Sequence, residues 1–375
     1  MLNAKYISAM LTVLAAGSAA PGQSHPATQS QPTSQPGPQI DVSVDPRVEL
    51  ISLIFRLAGN PEYTKAHVPS YVKDADEHFA AFKDHPVVKT ARRLRKEDGV
   101  SYDAPMSLAV HLGDAARLEL LVPLDPWPEG LDERWKPREL QLFSEQARDF
   151  AATSDFQGFF DAHRHLYDQS VERMRKVLTE HAHLEWFDEF FGPQRDGRFH
   201  LALGMLNGPN CYGARLRRPG RSDMYCILGI WLVDDKGVPA FADSVAQTVV
   251  HEFAHSYVNP VVEKWTPQLE KAGTVIFPTQ EKRMREMAYG TWQTMIIESM
   301  VRASEIRYVD RYQGDFMAAA GVMGQSAKGF VWMPGLAKLM AEYEADRQTY
   351  PTLDDFMPRV VEFFNDYAAT LKAKP

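Results

Sequence analysis

The residues best equipped for chemistry lie in one short stretch, "AQTVVHEFAHSYVNP", running from Ala246 to Pro260. It places His251 and His255 four residues apart, with Glu252 directly after the first histidine. On an α-helix that spacing stacks two imidazoles one turn apart on one face, where both reach a single zinc ion at about 2.0–2.1 Å. Glu252 is turned by about 100° from His251, off the metal but beside a water bound to it. A helix is expected here because no Gly or Pro falls between Val245 and Val258. Ser244 with Gln247 three residues later makes a capping-box pattern, and Pro260 is expected to end the helix. Val249, Val250, Phe253, Ala254 and Val258 give the remaining faces apolar packing. A core helix with two satisfied histidines is the bland alternative; spacing, cap and stop together favour a metal site.

A catalytic zinc needs a third protein ligand and an open position, whereas closed structural sites are usually rich in Cys, which is scarce here. The extended HExxHxxGxxH pattern is absent: Val258 and Val261 stand at its glycine and third-histidine positions. The third ligand must come from elsewhere, and Glu298 in "QTMIIESMVRASEIRY" is the candidate. It follows Met295, Ile296 and Ile297, and a carboxylate in so apolar a helix must be paired or liganded. Arg302, one turn on, either supports that ligand or is its only partner. Glu305 lies on nearly the same face and is the reserve; Glu286, in the more polar "KRMREM", is weaker.

This combination resembles the gluzincin branch of the zincin metallopeptidases. The match strictly covers Ser244 to Arg302. Together with "VDPRVELISLIFRLAG", the "HEFAHSYVNP" and "ESMVRA" pair also resembles an uncharacterised family of exported bacterial proteins, over most of the mature chain. The zincin resemblance implies His251, His255 and Glu298 as ligands of one zinc per chain, with Glu252 as general base. Thermolysin-like enzymes have NExxxD around the third ligand, where this chain has Ile297 and Arg302 at the Asn and Asp positions. That departure puts the surroundings of the ligand and the exact branch in question. The chemistry expected of such a site is hydrolysis: Glu252 deprotonates a zinc-activated water, which attacks a carbonyl, and returns the proton to the leaving amine. The oxyanion needs a further donor, for which Tyr289, Tyr308 and Tyr312 are candidates. Zincins pair substrate with an edge strand above the metal helix. In "LNGPNCYGARL" the residues Asn210, Tyr212 and Gly213 are candidates for that edge, with an ordinary hairpin as the alternative. Asn259 reads first as a helix-end residue.

The elements that must position these groups come from the rest of the chain. With 375 residues, 45% hydrophobic, it can bury a sizeable core. A formal charge of -8 from 49 acids and 41 bases, without long basic runs, makes nucleic acid an unsuitable partner. The first nineteen residues have the order of a signal peptide, a lysine followed by an apolar run and small residues. Residues 20–40, rich in Pro, Gln and Ser, read as a solvated linker, and 41–375 as one zincin-like domain between helical layers. No segment approaches the roughly 18 apolar residues of a membrane span, so none is expected after signal removal. The chain is expected outside the cytoplasm, periplasmic or extracellular.

From Asp41 to about Phe191 the pattern is helical, with Pro46 starting and Gly59 stopping the first helix. The paired histidines His163 with His165 and His181 with His183 sit two apart, about 200° on a helix, and read as surface or core residues. "RFHLALGML" and "DMYCILGIWLV" read as strands just before the metal helix, and helices follow it. The fold class is therefore α+β, mostly helical, with a small mixed sheet beside the metal helix. Cys211 and Cys226 flank a Pro219-Gly220 turn, and a disulfide across the hairpin is the favoured expectation.

Two classes of function remain. One is an exported zinc-dependent peptidase acting on a protein or peptide. The other is a zincin-fold binding or scaffold protein that holds zinc without hydrolysing anything; a zinc hydrolase of a non-peptide amide would share the metal site. The sequence leaves the oligomeric state open.

Overall fold

The structure, a computed structural model, describes residues 40–192 and 196–372. The expected signal peptide lies outside the described residues, as does the linker except for Ile40, which already sits in a strand. The described residues open with β1 (Ile40–Ser43) and α1 (Pro46–Leu57), followed by α2 (Pro61–Thr64), α3 (Pro69–His78), α4 (Pro86–Asp98) and α5 (Asp103–His111). Next come α6 (Pro137–Thr153), α7 (Phe156–Ala162), α8 (Arg164–His181) and α9 (Glu185–Phe191). The strands β2 (Gly197–Gly204), β3 (Cys211–Arg218) and β4 (Arg221–Gly229) then precede two short pieces, β5 (Leu232–Val233) and β6 (Pro239–Ala240). The chain ends in α10 (Val245–Lys264), α11 (Thr266–Glu286), α12 (Trp292–Gln313), α13 (Asp315–Ala327), α14 (Met333–Ala345) and α15 (Leu353–Lys372). This is an α+β molecule, mostly helical with a small mixed sheet. No described helix is long and apolar enough to cross a membrane.

Local chemistry accounts for the boundaries that matter. Asp45 accepts a hydrogen bond from the Arg47 amide at 2.9 Å and Pro46 occupies the first turn, so α1 begins where its donors are satisfied. Its buried Glu49 accepts from the Tyr71 hydroxyl at 3.0 Å and the Met205 amide at 2.6 Å, tying the segment after β2 to the helical layer. β1 was not foreseen, since four residues after a Pro-rich run carry no periodic signal of their own.

The four-stranded sheet has the order β1-β2-β4-β3. β1 runs parallel to β2 and β2 parallel to β4, while β3 pairs antiparallel with β4 at the edge. β4 is buried along almost its whole length, as a strand covered on both faces must be. One face of β3 carries Tyr212, close to Tyr63 and Glu62 in the first helical layer. The other carries Gly213, against α10. The sheet thus separates the early helices from α10, and buried apolar side chains from all these elements form one continuous core.

Three expectations are corrected. α10 does not end at Pro260 but continues to Lys264. Proline removes a hydrogen bond to the carbonyl four residues earlier, and that carbonyl, on Ser256, accepts instead from Arg215 Nη1 at 3.3 Å. Ser244 makes no side-chain cap, because its backbone is already helical and Gln247 is engaged elsewhere. Cys211 and Cys226 are free. The hairpin exists, with Arg218 opposite Arg221 around the Pro219-Gly220 turn, but its register sets Cys211 opposite Leu228 and Cys226 opposite Gly213. A diagonal pair of this kind lies about 7–8 Å apart, beyond the span of a disulfide.

Candidate metal centre

α10 and α12 pack against each other, and their facing sides bring three residues together. His251, His255 and Glu298 each offer a ligand atom, all within 4.8 Å of one another. His255 Nε2 lies 3.4 Å from Glu298 Oε1 and His251 Nε2 lies 3.9 Å from Glu298 Oε2. The sequence explains the convergence. The two histidines share a face of α10 because of their four-residue spacing, and Glu298 faces them because Met295, Ile296 and Met300 fill the core around it.

Each imidazole is fixed from behind. His251 Nδ1 is 3.0 Å from Glu305 Oε2, and Glu305 Oε1 accepts from Gln247 Nε2 at 2.6 Å. His255 Nδ1 is 3.0 Å from Asn259 Oδ1. With the Nδ1 atoms engaged, the Nε2 atoms are left to face Glu298, which is the arrangement metal-ligating histidines need. The Glu298 carboxylate is also only partly satisfied: Arg302 Nη2 stands 3.1 Å from Oε2 as an ion pair, yet among the described residues that oxygen has no aligned hydrogen-bond donor. A buried carboxylate oxygen without a donor, facing two imidazole nitrogens, fits a divalent cation of zinc character.

The charges follow from these neighbours. Burial pushes the Glu298 carboxyl up, but Arg302, His255 and His251 more than offset this and bring it down to about 2. Burial likewise works against a charged His251, while the hydrogen bond and charge of Glu305 raise it above its ordinary value. Glu305 is pushed up by burial and held down, in net, by its contact with His251.

Glu252 is buried and does not belong to the ligand group. Among the described residues its carboxylate has neither a hydrogen bond nor an ion pair. It reaches towards the edge strand: a Cβ on Gly213 would lie 3.6 Å from Glu252 Oε2 and 3.7 Å from His255 Cβ. Cys211 and Cys226 are near as well, and burial first and Glu252 second push both thiols far up, which disfavours their thiolate forms.

The structure separates the remaining candidates. Tyr289 is at the site, where its hydroxyl accepts from Arg302 Nη2 at 2.7 Å and bonds Glu298. Tyr308 is instead occupied with the α8–α9 connection, accepting from the His183 amide at 3.1 Å, and Tyr312 stacks on His183 at 3.9 Å. Gly213 borders the site, but Tyr212 points to the opposite face of the sheet and is buried. Asn210 is spent on the Glu62 carbonyl at 3.3 Å. Glu286 is exposed at the end of α11, outside the cluster. Sequence reasoning missed Gln247 and Gln325. The first could have been found, since it sits one turn before His251; the second, which accepts from Arg302 Nη1 at 3.1 Å, carries no signal because α13 is brought to the site by tertiary packing.

Comparison with curated proteins and with solved structures returns no match. A family model described as a domain of unknown function, DUF4932, matches residues 40–363, which spans the sheet, the helical layer before it and His251, Glu252, His255 and Glu298. The chain belongs to that family.

Proposed function

We propose that the protein is an exported zinc-dependent peptidase with a zincin-like fold, related in the logic of its site to the gluzincins. The observation that carries this reading is the convergence of His251, His255 and Glu298, with both Nδ1 atoms engaged, beside an unpaired Glu252. Zinc held by these three side chains would supply Lewis acidity, acidifying water and polarising a carbonyl. Glu252 accepts the proton of the attacking water and delivers it to the amine nitrogen as the C–N bond breaks. Its freedom from other partners leaves it available for both transfers. Tyr289, polarised by Arg302, would donate to the developing oxyanion by turning its proton away from Glu298.

An extended peptide is the substrate that best fits the surroundings. β3 is a sheet edge, and the exposed Gly213 lets a backbone approach Glu252 and His255 without a side chain between them. The test is a peptide-library assay on the zinc-loaded chain beside Glu252→Gln. Loss of about 10²–10⁴ in turnover with zinc retained is expected of a general base. A wild type that holds zinc and cleaves nothing would leave the binding-protein reading in its place, and cleavage that survives Glu252→Gln would remove Glu252 as the base.

A further inference from the structure

The departure at position 302 has a physical meaning of its own. Arg302 is buried at 6% exposure, one turn after the ligand carboxylate. Its guanidinium is immobilised on several sides: Nη2 donates to Tyr289, Nη1 donates to Gln325, and the Phe330 ring lies 5.2 Å from its central carbon. Its Nε has no hydrogen-bond partner among the described residues. A buried cation on so fixed a frame is costly unless a negative charge stands beside it, and the anion in contact is the ligand carboxylate of Glu298. Glu305 and Lys328 lie near enough to feel its charge, one of each sign, so neither removes the need for Glu298.

We propose that Arg302 is a built-in counter-charge that keeps the metal-free centre assembled and makes its zinc exchangeable. This rests on the zinc reading above and adds how that site is regulated. When zinc is absent, Arg302 neutralises Glu298 and holds the side chain in its ligating position. When zinc is bound, the guanidinium and the ion are like charges close together, and their repulsion lowers affinity. Zinc can then leave and return without the core around α10 and α12 coming apart, and occupancy follows the free zinc outside the cell.

The experiment is zinc affinity by chelator competition, with thermal melting of stripped and loaded protein, for the full mature chain, Arg302→Met and Arg302→Lys. Stripped wild type should melt cooperatively and take back one zinc. Arg302→Met should bind zinc at least tenfold tighter while its stripped form melts lower or folds only with zinc; Arg302→Lys, which keeps the charge, should stay within about threefold of wild type. A merely structural arginine would weaken zinc when removed, so weaker or equal affinity in Arg302→Met overturns the proposal. Equal tightening in Arg302→Lys does so too. If Arg302→Met folds under neither condition, the wild type decides: loss of cooperative melting on stripping overturns the proposal, and retention with reversible uptake supports it. Failure of the peptidase reading is separate, since it appears as zinc uptake without turnover, while a wild type that takes up no zinc overturns both.

Discussion

Two glutamates, each buried on a helix, end in opposite electrostatic states. Glu298 on α12 faces Arg302 and two imidazoles, and these draw its carboxyl down to about 2 against the push of burial. Among the described residues Glu49 on α1 has only neutral donors, the Tyr71 hydroxyl and the Met205 and Leu206 amides, and burial, with the charge of Asp45, pushes it up to about 7. The difference lies in what surrounds the carboxylate. Neutral hydrogen bonds soften the cost of burying a charge without cancelling it, so Glu49 can serve as a protonated clamp. Cationic neighbours preserve the charge, and a preserved charge facing two histidine nitrogens is what the proposed metal site requires. One region uses a buried carboxyl to hold the fold, and the other keeps its carboxylate charged beside two imidazoles.

The comparison can be broken at several points. The largest effect is expected at Glu49. The folded chain keeps this carboxyl protonated up to about pH 7 while the unfolded chain ionises near 4.5, so the folded state binds more protons in between. The contribution of this group should be fully present below pH 4.5 and be lost as pH rises to 7, a change of about 3 kcal/mol. Denaturant melts across that range should show stability changing less favourably with rising pH in wild type than in Glu49→Gln. An unchanged slope in the variant would mean that neutral donors suffice to keep Glu49 ionised.

Next in size is Glu305→Gln, which takes the negative charge from behind His251. Zinc affinity should fall about 10- to 100-fold by chelator competition, with the melting of the stripped protein little altered. Smaller again is Asn259→Ala, where His255 loses a neutral partner instead of a charged one. A loss of about threefold to tenfold is expected, and an effect as large as that of Glu305→Gln would show that orientation, not charge, sets the centre.

How much of this was legible in the sequence depends on the distance over which each feature is decided. His251, Glu252 and His255 were legible because helical periodicity alone puts them where they are, and Glu298 because a charge inside an apolar helix demands a partner. The α+β class followed from the switch in pattern at Gly197. Pro260 misled because the donor that excuses it, Arg215, comes from β3, and the capping box misled because Gln247 turns to Glu305 on another helix. The cysteines depended on a hairpin register that composition does not encode. Tyr289 could not be separated from Tyr308 and Tyr312, since the first lies just before α12 and the other two on it, and only packing tells which faces Glu298.

The most direct test of the proposed centre is zinc content by elemental analysis of the purified protein, wild type beside Glu298→Ala and His255→Ala. One zinc per chain is expected in wild type, with its loss or severe weakening in both variants. Full zinc affinity in Glu298→Ala, or a wild type that takes up no zinc after reconstitution, would contradict the proposed centre.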